Sequence, residues 1–302
     1  MSRTLITGAS GFTGRYLVDR LSRDGHELFG IERRVADGER HDLALYEADL
    51  LDVEGLTRVI AEVRPQKVVH LAAVAFVAHS DVSSMYAVNV VGTRNLLHAL
   101  STAGLEVDTV VIASSANVYG NQRSGELNEQ MPPCPANDYG VSKLASEHLA
   151  RIFGDRLPIV VTRPFNYTGV GQSEQFLIPK IVGHAKRGER IIELGNLDVA
   201  RDFSDVRFVA NCYAGLLGTP EAIGGTFNIC SGIPRSLNSV LATVAEISGV
   251  ALEPIVNPSL VRRDEVRTLS GSRAKLDAMI GCPQAPALDD TIRWMLEAPS
   301  CA

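Results

Sequence analysis

Cysteine is scarce in this chain of 302 residues: five, at positions 134, 212, 230, 282 and 301, with no Cys-x-x-Cys pair and no framework spacing. An odd, scattered set suits reduced thiols in the cytoplasm rather than a disulfide scaffold. No two of the seven histidines form a His-x-x-x-His pair, so no metal site is expected. No apolar run reaches the ~18 residues that a membrane helix requires. The amino terminus is predicted to enter a strand at once, so no signal peptide is expected. Lys and Arg number 29 against 35 acidic residues, a net charge of −6 without a basic block. Nucleic-acid binding through a broad electrostatic face is therefore not expected. Repeats and low-complexity tracts are also absent. What the chain does have is 45% hydrophobic content, enough for one large domain or two smaller ones.

Strand and helix signals alternate through the first 165 residues. Strands are predicted at 3–7, 27–32, 67–72, 108–114 and 158–163, and helices at 12–24, 53–63, 82–103 and 138–154. The middle strands are continuous Val/Ile/Leu runs, as in a sheet covered on both faces. This alternation predicts an α/β fold: a Rossmann-type, doubly wound parallel sheet. After Arg163-Pro164 the pattern loosens into a Gly-rich loop, a helix near 178–188 and short segments, predicting a smaller α/β substrate-binding lobe.

Three motifs carry chemistry. Thr4 to Thr7 reads as a buried strand, followed at once by Gly8-Ala-Ser-Gly11-Phe12-Thr13-Gly14 and an amphipathic helix. That order makes a phosphate site: Gly8 for the tight turn, Gly11 for close approach of the backbone to pyrophosphate, Gly14 for helix–strand packing. A second apolar strand ends in Ser114-Ser115-Ala-Asn117-Val-Tyr-Gly. Ligands of open α/β sheets gather beyond such carboxyl ends, where Ser115 can hydrogen-bond a carbonyl oxygen. Tyr139 and Lys143 lie four residues apart in a predicted helix, one turn apart on one face. A buried ammonium beside a phenol favours phenolate, and acid/base work near neutrality needs a shift of about three units from ~10.

In order, GASGFTG, Asp49-Leu50, His70-Leu71-Ala72-Ala73, Asn89-Val-Val-Gly-Thr93, SSANVYG and YGVSK resemble the extended short-chain dehydrogenases/reductases acting on nucleotide sugars. Phe165-Asn-Tyr-Thr-Gly169 and Leu194-Gly-Asn-Leu-Asp198-Val-Ala-Arg-Asp-Phe203 are similar to the branch containing GDP-mannose 4,6-dehydratase and GDP-4-keto-6-deoxymannose reductase. The resemblance implies a dinucleotide domain over 1–164 with a returning segment at about 201–232, and a nucleotide-sugar domain over 165–200 and 233–302. It implies Ser115, Tyr139 and Lys143 as catalytic residues, and cofactor contacts from Gly8, Gly11, Phe12, Thr13, Gly14, Asp49, Leu50, Leu71, Ala72, Ala73, Tyr139 and Lys143. Asp49 has a plain surface aspartate as its alternative reading. It also implies a homodimer or dimer of dimers, through a four-helix bundle built from the helices at 82–103 and 138–154.

The second strand ends Glu32-Arg33-Arg34. An acidic residue there accepts ribose hydroxyls and favours NAD(H), whereas the arginines suit the 2′-phosphate of NADP(H). The Gly-Ile-x-Arg-Arg context is similar to the NADP-using branch, which favours NADP(H) and keeps NAD(H) possible. Where the family's dehydratases carry a glutamate and its epimerase-reductases a cysteine, this chain has Asn117; where the latter carry a histidine, it has Phe176. The expectation is a 4-keto reductase converting GDP-4-keto-6-deoxy-D-mannose to GDP-D-rhamnose, with a nucleotide-sugar 4-epimerase retaining NAD as the alternative and a non-catalytic dinucleotide sensor as a third. The resemblance implies substrate contacts from Ser80, Ser115, Asn117, Asn166, Lys180, Arg201, Arg262 and Glu265, with plain solvated charges as the alternative for Arg201, Arg262 and Glu265. Arginines are apt for adjacent phosphates; His79-Ser80 either lines the sugar pocket or packs as a loop.

Overall fold

A computed structural model describes residues 1–35, 42–75, 81–121, 125–261 and 266–299. β1 (Arg3–Thr7), β2 (Glu27–Glu32), β3 (Ala44–Glu47), β4 (Lys67–His70) and β5 (Thr109–Ala113) pair in parallel, and a short β6 (Glu126–Leu127) lies apart from them. β7 (Ile159–Pro164) then joins β5. The chain continues through β8 (Asn166–Thr168), β9 (Ile191–Leu194) and β10 (Ala200–Asp205) before β11 (Thr226–Ile229) closes the sheet beside β7. The resulting seven-stranded order is β11-β7-β5-β4-β1-β2-β3. It reverses direction of growth between β1 and β4, and a crevice opens at that point beyond the carboxyl ends.

Alternation along the strands divides the core in two. Leu5, Val68, Val110 and Ile159 point to one face, against Leu56 and Ile60 of α2 (Val53–Val63) and Phe153 at the end of the helix that carries Tyr139 and Lys143. Ile6, Val69, Val111 and Val160 point to the other, against Leu17 and Leu21 of α1 (Phe12–Arg23). Both faces being covered explains the continuous apolar strands.

The helix expected over 82–103 is α3 (Val82–Tyr86), a π-helical turn (Ala87–Gly92) and α4 (Thr93–Thr102) in continuous succession. Buried Asn89 accounts for the widening. Its side chain accepts from Val74 N (2.8 Å) and donates to Val74 O (3.1 Å) and to Ser142 Oγ (3.0 Å). Its carbonyl accepts the hydroxyls of Thr93 and Ser146. Ser142 and Ser146 belong to α5 (Asp138–Phe153), so the π turn ties α5 to the loop after β4.

α6 (Leu177–Lys186) packs with α8 (Leu237–Ser248) and α10 (Leu288–Glu297) into a separate core containing Ile181, Val240, Val244 and Ile292. A second sheet runs from β12 (Pro234–Ser236) through β10 to β14 (Thr268–Gly271) and β6, while β13 (Glu253–Val256) pairs with β9. The strand at 200–205, placed by sequence at the head of the returning segment, hydrogen-bonds into this second sheet. The chain re-enters the first core at α7 (Val206–Leu217), whose Phe208, Val209 and Leu216 pack with Ile6 and Leu17, and α9 (Ala274–Ile280) adds Leu276 there. β3, β6 and the elements after β7 other than α6 carry no individual sequence-based assignment. No helix among the described residues is long and apolar enough to cross a membrane.

Gly14 decides how closely α1 meets β1, since a Cβ there would fall on the carbonyls of Gly8 and Ala9. Gly25 has a positive φ of 77° but open space around it. Gly14→Ala is expected to destabilise by about 3 kcal/mol, against about 1 kcal/mol for Gly25→Ala, in urea denaturation.

Candidate active site

The crevice is a cavity of about 740 Å³ between the two lobes. Gly8, Gly11, Phe12, Thr13 and Gly14 form one wall; Leu71, Ala72 and Ala73, from the end of β4, form its floor. Gly8 adopts φ +72°, and a Cβ there would lie 3.0 Å from Ala72 N. No side chain caps the amino terminus of α1, whose N-cap is Gly11. A glycine cradle facing an uncapped helix start fits a pyrophosphate. The floor is set by a hydrogen-bond chain through His70. Ala72 N–H donates to Thr7 Oγ1 (3.2 Å), whose hydroxyl donates to His70 Nδ1 (2.7 Å). Thr93 Oγ1 donates to Asn89 O (2.6 Å) and so accepts from His70 Nε2–H at 3.0 Å. Burial, with Lys143 nearby, lowers the His70 pKa to about 3, so the ring is neutral and structural.

Ser115, Asn117, Tyr139 and Lys143 converge on the same cavity. Ser115, two residues beyond β5, is extended and caps a 3₁₀ turn, Ala116–Tyr119. Asn137 caps α5 by accepting from Gly140 N (2.8 Å), which starts the helix immediately before Tyr139. Burial raises the Tyr139 pKa, neighbouring Tyr167 adds to this, and Ser115 opposes it. Lys143 donates to Ala113 O at 2.7 Å, its Nζ lying 6.0 Å from the centre of the Tyr139 ring. Burial lowers its pKa to about 8. Burial in the cleft thus works against the acidified phenol expected from sequence. Desolvation outweighs the ammonium, which is committed to a carbonyl, and the phenol is neutral.

Two turns along α5, Glu147 is 2% exposed. Its carboxylate accepts from Arg163 Nε (2.8 Å) and Nη2 (2.7 Å) on β7, and from Ser114 Oγ at 2.6 Å. Arg163 lies over the Tyr119 ring at 4.8 Å, and Tyr119 donates to Asn228 Oδ1 on β11 at 2.7 Å. This buried pair escaped the sequence reading, although Glu147 repeats the four-residue spacing of Tyr139 and Lys143. Tyr167 escaped it as well. Its hydroxyl shares a 2.8 Å hydrogen bond with Thr13 Oγ1, and its ring stacks on Phe12 at 6.0 Å.

The remaining expected residues divide. Asn166 and Arg201 line the cavity, as does Phe176. Arg201 donates to Ala200 O at 2.8 Å. Lys180 does not reach the cavity: its Nζ donates to Glu193 O at 2.6 Å, and α6 presents Leu177, Ile178 and Pro179 there instead. Glu32 is half-buried and accepts from Ser10 N at 2.6 Å, while Arg33 and Arg34 are exposed beyond it. Asp49 accepts from Leu51 N at 2.8 Å, and Leu50 is buried with its carbonyl bonded to Asn95. Ser80, Arg262 and Glu265, with His79, lie outside the described residues. Among the described residues no cluster suited to a metal ion occurs.

A glycine cradle at β1, with serine, tyrosine and lysine beyond β5, defines an extended short-chain dehydrogenase/reductase of the nucleotide-sugar type. The chain belongs to the NAD dependent epimerase/dehydratase family, whose model matches residues 4–230. It is 33% identical over 282 residues to the GDP-6-deoxy-D-talose 4-dehydrogenase of Aggregatibacter actinomycetemcomitans, spanning 92% of this chain and 91% of the relative. It is 33% identical over 307 residues to the GDP-6-deoxy-D-mannose reductase of Pseudomonas aeruginosa, spanning 97% and 96%. Among solved structures it is similar to a protein of Burkholderia cenocepacia J2315 named as a candidate epimerase (47% identity, TM-score 0.90, 98% and 97% covered). RMD from Pseudomonas aeruginosa complexed with NADPH is also similar (32% identity, TM-score 0.82, 98% of each chain covered).

Replacing Glu147 leaves the Arg163 guanidinium buried without a counter-charge. Glu147→Ala is expected to destabilise the fold by about 3–5 kcal/mol, measured by urea unfolding.

Proposed function

We propose that the protein reduces the C4 ketone of GDP-4-keto-6-deoxy-D-mannose to GDP-D-rhamnose, with NADP(H) as the favoured dinucleotide. One observation carries the reading: the described residues lining the cavity include no aspartate, glutamate, histidine or cysteine. Elimination and epimerisation beside the carbonyl both require a base for a carbon-bound proton, and the cavity wall supplies none among these residues. It supplies a neutral phenol, a hydroxyl and an ammonium, which suffice for a reduction coupled to one proton transfer. A neutral Tyr139 is the form that reductive chemistry needs, whereas oxidising an alcohol first calls for phenolate.

The dinucleotide, when bound, supplies hydride. Gly8, Gly11 and the start of α1 hold its pyrophosphate, and Lys143 holds its ribose. Ser115 donates a hydrogen bond to the ketone oxygen, and Tyr139 transfers its phenolic proton to the alkoxide that develops there. The cations Arg15 and Arg201 on the cavity wall suit the substrate's diphosphate. The names of the two relatives, a GDP-6-deoxy-D-talose 4-dehydrogenase and a GDP-6-deoxy-D-mannose reductase, support a GDP-6-deoxy sugar. A 4-epimerase with retained dinucleotide uses the same three residues, and the name of the Burkholderia structure keeps that reading as the alternative. Exposed Val91, Val141 and Ile152 on the helices at 82–103 and 138–154 support pairing of two subunits there.

The test is NADPH oxidation with 4-keto-6-deoxy sugars carrying GDP, UDP or dTDP. The expected result is turnover with the GDP sugar, lost by at least ~10²-fold in Tyr139→Phe with NADPH affinity retained. A tightly bound dinucleotide and no consumption of added NADPH favours the epimerase instead. For cofactor choice, Arg33→Ala/Arg34→Ala is expected to lower kcat/KM about tenfold or more for NADPH and little for NADH, since the guanidinium fork contacts only the 2′-phosphate. An equal effect on both dinucleotides removes that role.

A further inference from the structure

Asn117 lines the cavity beside Ser115, and its contacts give it a job of its own. Its backbone N–H donates to Ser115 Oγ at 3.2 Å, and its side-chain Nδ2 donates to the same oxygen at 3.1 Å. A serine hydroxyl has one proton to give and two lone pairs to receive with. Both lone pairs are therefore filled from one residue, and the only remaining hydrogen-bonding capacity of Ser115 is its own O–H. Ser115 is 6% exposed and lines the cavity, the side from which a ligand would meet its O–H.

The turn that presents Asn117 is held on both sides. Its carbonyl accepts from Gly120 N at 3.1 Å. α5 presses against the same carbonyl through Gly140, where a Cβ would lie 2.6 Å from Asn117 O. Gly140 directly follows Tyr139, so the Asn117 turn and the phenol are fixed by one contact. The backbone on which the amide stands cannot drift away from Ser115.

We infer that Asn117 is a positioning residue that makes Ser115 an obligatory hydrogen-bond donor to the substrate's carbonyl oxygen. This inference rests on the proposed ketone reduction, in which Ser115 faces that oxygen. Asn117 need not touch the reacting atoms; it acts by closing the acceptor sites of the group that does. An ionised carboxylate of the same shape would do the reverse. It accepts but cannot donate, so it would draw the Ser115 proton to itself and turn lone pairs toward the ketone.

The inference yields an ordering that packing alone would invert. Asn117→Asp is nearly isosteric, and Asn117→Ala deletes the side chain while leaving the backbone donor. At pH 8, kcat is expected to fall at least thirtyfold in Asn117→Asp and no more than tenfold in Asn117→Ala, with KM for the sugar within about threefold of the original in both. As pH is lowered toward 5.5 the Asp variant regains rate relative to the parent, because the protonated acid donates again, while the Ala variant stays parallel to it. The titratable groups sharing the cavity wall are Tyr139 and Lys143 of α5, Tyr167 of β8, Tyr213 of α7, Arg15 of α1 and Arg201 of β10. They are common to all three proteins and cancel in the ratio. NADPH affinity by fluorescence titration is expected to be unchanged in both variants. Full activity in Asn117→Asp, a larger loss in Asn117→Ala, or a pH-independent ratio overturns the inference. Failure of the parent protein to reduce any 4-keto sugar refutes the proposed function instead, so the two failures are distinguishable.

Discussion

Three elements of this protein meet at a single buried carboxylate. Glu147 of α5 binds Arg163 at the end of β7 through two hydrogen bonds and Ser114 at the end of β5 through a third. Isolated in an apolar interior, either charge would be prohibitively unstable, so each is tenable only while the other is in place. The geometry of the site follows. Lys143 and Tyr139 precede Glu147 by one and two helical turns, and Ser115 follows Ser114 directly. Fixing Glu147 to Ser114 and Arg163 therefore sets the register of the phenol and the ammonium against the serine.

The same burial sets the electrostatics. Desolvation pushes the Tyr139 pKa up and brings Lys143 down to about 8. On this side of the cleft the phenol keeps its proton beside the ammonium. On the opposite wall, an uncapped helix start and a glycine turn present backbone donors suited to phosphate. Tyr167 joins the two walls, stacked on Phe12 and hydrogen-bonded to Thr13. The chemistry this allows is narrow: a proton to give to oxygen, and no described carboxylate, imidazole or thiol on the cavity wall to take one from carbon.

Much of the architecture was legible in the residues, because buried parallel strands are continuous apolar runs and cannot easily be misread. β3 was not: Ala44–Glu47 is an edge strand with no fully buried residue, so it lacks that signature. α7 was hidden for the opposite reason, being apolar on nearly every side between two packed layers. The π turn at Ala87–Gly92 has no periodic trace, since it arises from Asn89 bonding to residues distant in sequence. In the site, glycine spacing and the Tyr139/Lys143 pair announced the cavity wall. Lys180 misled because a helical position gives no direction without knowing which face is covered. Glu147 was overlooked because a glutamate in a helix looks solvated until Arg163 is brought beside it by the sheet. The electrostatic expectation for Tyr139 inverted for a related reason: sequence shows which charge is adjacent, but not how much water has been excluded.

In the reaction we propose, hydride reaches C4 of a sugar ketone while Tyr139 protonates its oxygen. Its most direct test is NMR of the product formed from GDP-4-keto-6-deoxy-D-mannose with NADPH carrying deuterium at the transferable position. The account predicts deuterium at sugar C4, one equivalent of NADPH consumed, and no label elsewhere on the ring. A product without deuterium at C4, or with solvent hydrogen incorporated at C3 or C5, contradicts it.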